Sequence, residues 1–194
     1  MKRFEITSQF PDHRGADYYN TAGSALCPTE VRDQVKQYLD AVWTDIIDTY
    51  TRYNPLRERL RANLAALVGA TVPELAITHH TAEGASLIAA GIDWRRGDKI
   101  LTLDHEYPST IYPWMNLEKR HGIQLILLEE REGRVDEDEI VAALFREKPR
   151  LFALSAVQWC TGYRFDLEKI GRACSELGTF FFVDTAQTKT ESIG

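Results

Sequence analysis

The sequence predicts an α/β fold: a mostly parallel sheet flanked by helices. From about residue 71 onward, short apolar runs alternate with amphipathic helical patterns, and the runs are continuous rather than alternating. Strands covered by helices on both faces read this way, because each side of the strand meets apolar neighbours. The chain has 194 residues, 44% hydrophobic and 27% charged, enough for one sizeable core or one domain plus an appendage.

The elements follow in chain order. Residues 1–28 are mostly irregular, punctuated by Gly15, Gly23 and Pro28. Thr29 is the N-cap candidate for "TEVRDQVKQYLDAVWTDIIDTY", where Val31, Val35, Tyr38, Leu39, Val42 and Ile46 fall at helical spacing. A second helix is expected from Pro55 to Val68, with Leu56, Leu60, Leu64 and Leu67 on one stripe, stopping before Gly69. Five strands then follow: "LAIT" (75–78), "KILTL" (99–103), "IQLILL" (123–128), "LFALSAV" (151–157) and "TFFFVD" (179–184). The expected organisation is an N-terminal arm with helices over 1–70 and an α/β domain over 71–194.

Charge and cysteine usage narrow the function. A net charge of -6 argues against a nucleic-acid surface, which needs a basic stripe. The Arg-rich "RERLRA" (57–62) contains Glu58 and reads as a solvated helix face. Cys27, Cys160 and Cys174 are widely spaced and odd in number, so no disulfide framework is expected. The opening "MKRFEITSQF" lacks a signal-peptide core and no run reaches membrane-spanning length, so a cytoplasmic location is expected.

In open α/β sheets ligands sit beyond the carboxyl ends of the strands. The residues there are "THHTAEGAS", "DHEYPST", "QWCTGYR" and "DTAQ". Thr81, Ala82 and Glu83 open a helix straight after a strand, where free N–H groups and the helix dipole favour a phosphate; Thr81 acting simply as an N-cap is the other reading. Tyr107 stands where an aromatic would stack on a flat ring, or serve as a core tyrosine. Asp104, His105, Glu106, His79 and His80 raise a metal site, but neighbours on a strand point apart and no His-x-x-x-His pair exists, so none is expected. Asp184 ends the apolar "FFFV", so its carboxylate should be desolvated and in need of a partner such as a protonated ring nitrogen. Gln187, three residues on, would reach a second polar atom of that ligand. The other reading of Asp184 is a cap on the following turn.

Taken together, "YYNTAGSALCP", "THHTAEGASLIAAGIDWRRGDKIL", "HEYPSTIYPW" and "TGYRFDLEKIGRACSELGTFFFVDTAQ" resemble the class V aminotransferase family of pyridoxal 5'-phosphate (PLP) enzymes, fold type I. That family includes cysteine desulfurases and isopenicillin-epimerase-like proteins. The resemblance covers roughly residues 18–188 and implies an incomplete fold type I large domain. It implies that Thr81 and Ala82 hold the cofactor phosphate, Tyr107 stacks on the pyridine ring, Asp184 pairs with its nitrogen, and Gln158 and Gln187 bond its phenolic oxygen. The family often has a second Thr where Ala82 stands.

The resemblance also implies a lysine carrying the cofactor, a substrate-binding Arg and a small domain, all beyond residue 194; Lys189 is not taken as a substitute. The expectation is the N-terminal part of a PLP-dependent transferase or lyase acting on an amino-acid substrate. The alternative is a non-catalytic PLP- or phosphate-binding module, or half of a two-piece enzyme. A homodimer or a completing C-terminal partner is expected. In the family's sheet the first strand pairs with the last, so "LAIT" would lack its neighbour and "FFFV" would form an exposed edge prone to association.

Overall fold

The structure is a computed structural model describing residues 9–10, 17–133 and 135–188. Lys189 and the tail after it lie outside the described residues, as do Gly15 and nearly all of the opening "MKRFEITSQF". The chain divides into two compact units, Met1–Ala76 and Ile77–Gly194.

The first unit carries α1 (Thr29–Thr44), α2 (Ile46–Val68) and a 3-10 turn at Val72–Glu74. Three expectations need correction here. The residue before α1 is Pro28, which sets an extended entry, and Thr29 is already helical. The long helix expected from Thr29 breaks at Asp45, whose carboxylate accepts from Ile47 N and Asp48 N and so starts a new helix. An acid that satisfies two free amides is worth about 1 kcal/mol as a cap, enough to decide the break. Pro55, expected to open the second helix, lies inside α2. The stop is as expected: Gly69 takes φ 69°, a left-handed cap open to a residue without Cβ. Tyr38 and Tyr53 meet edge-on, with centroids 4.9 Å apart, and the Arg61 guanidinium donates to the carbonyls of Val72 and Leu75. Much of the apolar stripe of α1 stays exposed.

The second unit is the α/β sheet. It contains α3 (Thr81–Gly91), β1 (Lys99–Leu103), α4 (Pro108–His121), β2 (Gln124–Leu128), α5 (Glu137–Glu147), β3 (Leu151–Ser155), α6 (Leu167–Leu177) and β4 (Phe180–Asp184). All strand pairs are parallel, in the order β2-β1-β3-β4. Among the described residues, four of the five expected strands form. "LAIT" is the exception: Leu75 has extended dihedrals, yet residues 75–78 join no ladder.

The period of two along each strand sorts the core onto two faces. Leu101, Leu103, Phe152 and Leu154 face α5 and α6, where they meet Ile140, Leu144, Ile170 and Cys174. Ile100, Leu151 and Ala153 face α3 and α4, against Ala85, Ala89, Trp114 and Leu117. β4 joins both layers, since Phe181 stacks on Phe152 and Phe182 meets Trp114 edge-on. Burial pushes the Cys174 thiol up to about 11, whereas Cys27 and Cys160 are exposed.

Among the described residues β4 is an edge strand. Phe180 N donates to Arg150 O and Ala156 N donates to Asp184 O, so Phe180, Phe182 and Asp184 turn their backbone groups toward β3. Phe181 and Val183 therefore present theirs outward. Phe152 and Phe180 test this arrangement with one residue type. Phe152→Ala, at the centre of the sheet, should cost about 3–5 kcal/mol in urea unfolding, whereas Phe180→Ala, at a position 55% exposed, should cost about 0.5 kcal/mol.

Candidate functional site

Sheet order places the crevice. β1 continues to β2 on one side and β3 continues to β4 on the other, so the direction of winding reverses between β1 and β3. A ligand crevice forms at such a reversal, outside the carboxyl ends of the strands. The segments entering it are residues 104–107 after β1 and 156–159 after β3, with Asp184 one strand further along.

Asp184 is buried, 8% exposed, at the last position of β4. Its Oδ2 accepts from Thr110 Oγ1 at 2.9 Å, and its Oδ1 accepts from Ala186 N at 2.9 Å. Thus the turn-capping role and the buried-acid role coexist on one carboxyl group. Both partners are neutral, and among the described residues no Lys, Arg or His pairs with it. A buried carboxylate held only by neutral donors has capacity left for a cation. That is a direct fit to a protonated ring nitrogen.

Thr110 links this acid to the aromatic. Pro108 opens α4 and forces Tyr107 into an extended conformation (φ -61°, ψ 139°), while Thr110 N donates back to Tyr107 O at 2.8 Å. The Tyr107 ring is 43% exposed and meets Trp159 edge-on, with centroids 5.6 Å apart. Trp159 is held in turn by its indole N–H, which donates to His105 O at 3.0 Å.

Thr81 and Ala82 lie in the first turn of α3, but the cap is His80, not Thr81. The ring Nδ1 of His80 accepts from Glu83 N at 3.1 Å, and the Glu83 carboxylate accepts from His79 N at 2.6 Å. The amides of Thr81 and Ala82 have no partner among the described residues, so the helix start retains two free donors. Gln187 is exposed beyond Asp184. Gln158 differs from these: it is fully buried, its Nε2 donates to Glu130 Oε2 at 2.9 Å, and its Oε1 accepts from Trp159 N at 2.8 Å. Both ends of that amide are engaged in holding the loop that carries Trp159. His105 pairs with Asp104 at 2.8 Å, and that hydrogen bond raises its pKa.

Sequence reasoning treated Glu106 only as a metal candidate, and missed its partner Ser155. Glu106 is 5% exposed; its Oε1 accepts from Ser155 N at 2.8 Å and its Oε2 lies 2.5 Å from Ser155 Oγ. Burial pushes its carboxyl above the ordinary carboxylate range, outweighing the hydrogen bonds from Ser155, and the charge of Asp184 adds to the rise. Thr110 was likewise missed. Its signal, a threonine two residues after a helix-opening proline, is too common to single out.

Residues 17–192 match the family described as Aminotransferase class-V. The chain belongs to that family. This class-V member is 27% identical over 195 residues to a probable cysteine desulfurase of Pyrococcus abyssi, covering 95% of this chain and 47% of that protein. Two solved structures share its fold. One is a mutant of C-DES with glycine covalently linked to its PLP cofactor, at TM-score 0.82, 24% identity, and 96% and 52% coverage of this chain and of that chain. The other is the cystine C–S lyase C-DES with its product cysteine persulfide, at TM-score 0.78, 23% identity, and 91% and 50% coverage. This class-V chain therefore spans about half the length of the relatives it matches.

Two outcomes test the site's electrostatics. Thr110→Val leaves a buried oxygen of Asp184 without its donor, so urea unfolding should show a loss of about 1–3 kcal/mol. Glu106, with its folded pKa raised, contributes stability that is fully present below the unfolded-state pKa and lost as pH rises through the folded one. The stability of the natural chain minus that of Glu106→Gln should therefore fall as pH rises above the ordinary carboxylate range, and level off once the folded carboxyl is ionised too. A difference constant with pH would contradict the raised value.

Proposed function

We propose that the crevice at the carboxyl ends of β1, β3 and β4 holds pyridoxal 5'-phosphate, as the cofactor-binding part of a class V aminotransferase or cysteine-desulfurase-like protein. The observation that carries this reading is Asp184: a buried carboxylate fixed by Thr110 and Ala186 N, with no cation beside it among the described residues. Family membership and the fold shared with PLP-bearing structures support it.

In this reading each residue has a defined task. Asp184 keeps a ring nitrogen protonated by offering its charge in a desolvated place. Tyr107, braced by Trp159, gives a flat face to the ring. The free amides of Thr81 and Ala82, with the Thr81 hydroxyl, receive the phosphate at the positive end of α3. Gln187 bonds the oxygen next to the ring, and Gln158 supports it by holding the loop of Trp159. When bound, the cofactor supplies an electron sink for charge developing at Cα of an amino-acid substrate. The whole protein's reaction, its substrate, a cytoplasmic location and a homodimeric or two-piece assembly are parts of the same proposal. Among the described residues no helix is long and apolar enough to cross a membrane.

The lysines of the second unit favour a second reading for this chain taken alone. Lys99 pairs with Glu147 and Lys169 with Asp138, while Lys119 and Lys148 sit at the C-terminal ends of α4 and α5, at the opposite edge of the sheet. Each of these lysines is ion-paired or at the far edge, which favours a chain that holds PLP without a covalent link to them.

Titration of the chain with PLP, followed by quenching of tryptophan fluorescence, tests both readings. Saturable binding is expected, weakened about tenfold or more by Asp184→Asn, which is about 1.4 kcal/mol. Borohydride treatment and mass spectrometry should find no adduct. An adduct on Lys189 would make this chain self-sufficient in its lysine, and absence of binding would overturn the cofactor reading.

A further inference from the structure

We propose that Glu106 is a positioning residue for this crevice: its carboxyl group takes the place of the missing rungs of the β1–β3 ladder and so fixes Tyr107 relative to Asp184. The inference rests on the crevice being the cofactor site. Its physical basis is the way β1 and β3 part. They pair only at Ile100 with Leu151 and Leu101 with Phe152, so toward their carboxyl ends the strands separate. Ala156 N donates to Asp184 O, on the β4 side; one residue earlier, the Ser155 N–H must point to the β1 side.

No strand residue meets that N–H, and Glu106 does, 49 positions away in sequence. The second oxygen of the same carboxyl group engages the Ser155 hydroxyl. Glu106 is bonded directly to Tyr107, and Ser155 lies opposite Asp184 in the β3–β4 register. One side chain therefore ties the stacking ring to the acid, across the gap where the sheet splits.

Reach, not charge, is what this task requires. Asp184 is the charged group that faces Glu106 from β4, and burial favours the neutral form of Glu106. A neutral Glu106 leaves Asp184 as the negative charge that a ring nitrogen would meet. Glutamine has the same length and can occupy the same two bonds. Aspartate keeps the ionisable carboxyl group and is shorter by one methylene, about 1.5 Å.

The test compares Glu106→Gln, Glu106→Asp and Glu106→Ala in the full chain, with two readouts. The first needs no ligand: the fluorescence of Trp159, obtained by subtracting the spectrum of a paired Trp159→Phe variant, reports its contact with Tyr107. The second is the Kd for PLP. Glu106→Gln should keep the Trp159 emission and hold Kd within about threefold, whereas Glu106→Asp and Glu106→Ala should shift the emission and raise Kd about tenfold or more. Should Glu106→Ala not fold, the Gln and Asp variants decide between reach and charge. Wild-type behaviour in Glu106→Asp with loss in Glu106→Gln, or no change in any variant, overturns the proposal. If the natural chain binds no PLP, the cofactor reading fails, and the Trp159 emission still decides what Glu106 does.

Discussion

The site in the second unit depends on keeping a buried carboxylate at the end of the edge strand β4. Asp184 can be there because α4 begins where it does: Pro108 starts the helix, the first turn carries Thr110, and Thr110 donates to the acid. Remove that donor and a buried oxygen is stranded; keep it and the charge is tolerated but not neutralised. Both consequences matter. Stability needs the hydroxyl, and a cationic ligand needs the charge that the hydroxyl leaves in place.

Around this acid the sheet acts as a frame. Parallel order puts the strands' carboxyl ends on one side, and the reversal between β1 and β3 opens a gap there. The gap would leave Ser155 N–H without a ladder partner, and a buried amide without a partner is costly. Glu106 fills it. The residue that closes the backbone accounting at this point is therefore also adjacent to the aromatic ring that lines the opening.

Much of this was legible in the sequence, for physical reasons. Continuous apolar runs gave away β1, β2, β3 and β4, because parallel strands covered on both faces carry few polar residues. Asp184 stood out because an acid at the end of such a run needs an explanation. What failed were local rules with close competitors. Thr29 and Thr81 looked like caps, yet Pro28 and His80 hold those positions. Pro55 looked like a start, yet the capping carboxylate of Asp45 begins the helix earlier. "LAIT" has strand composition, but a strand needs a partner and composition supplies none. The Glu106–Ser155 and Thr110–Asp184 bonds were invisible because nothing local to either sequence segment requires them; they exist only once β1, β3 and β4 lie side by side.

The edge at β4 has a further consequence. Phe181 and Phe182 are packed from the two faces, so the sheet is finished across its thickness, yet it remains open within its own plane at the outward amides of Phe181 and Val183. Growth in that plane needs no rearrangement of the core, only an extended strand of any origin. Along that edge water and a second strand compete for the same few backbone groups, so strand addition there would rise with concentration.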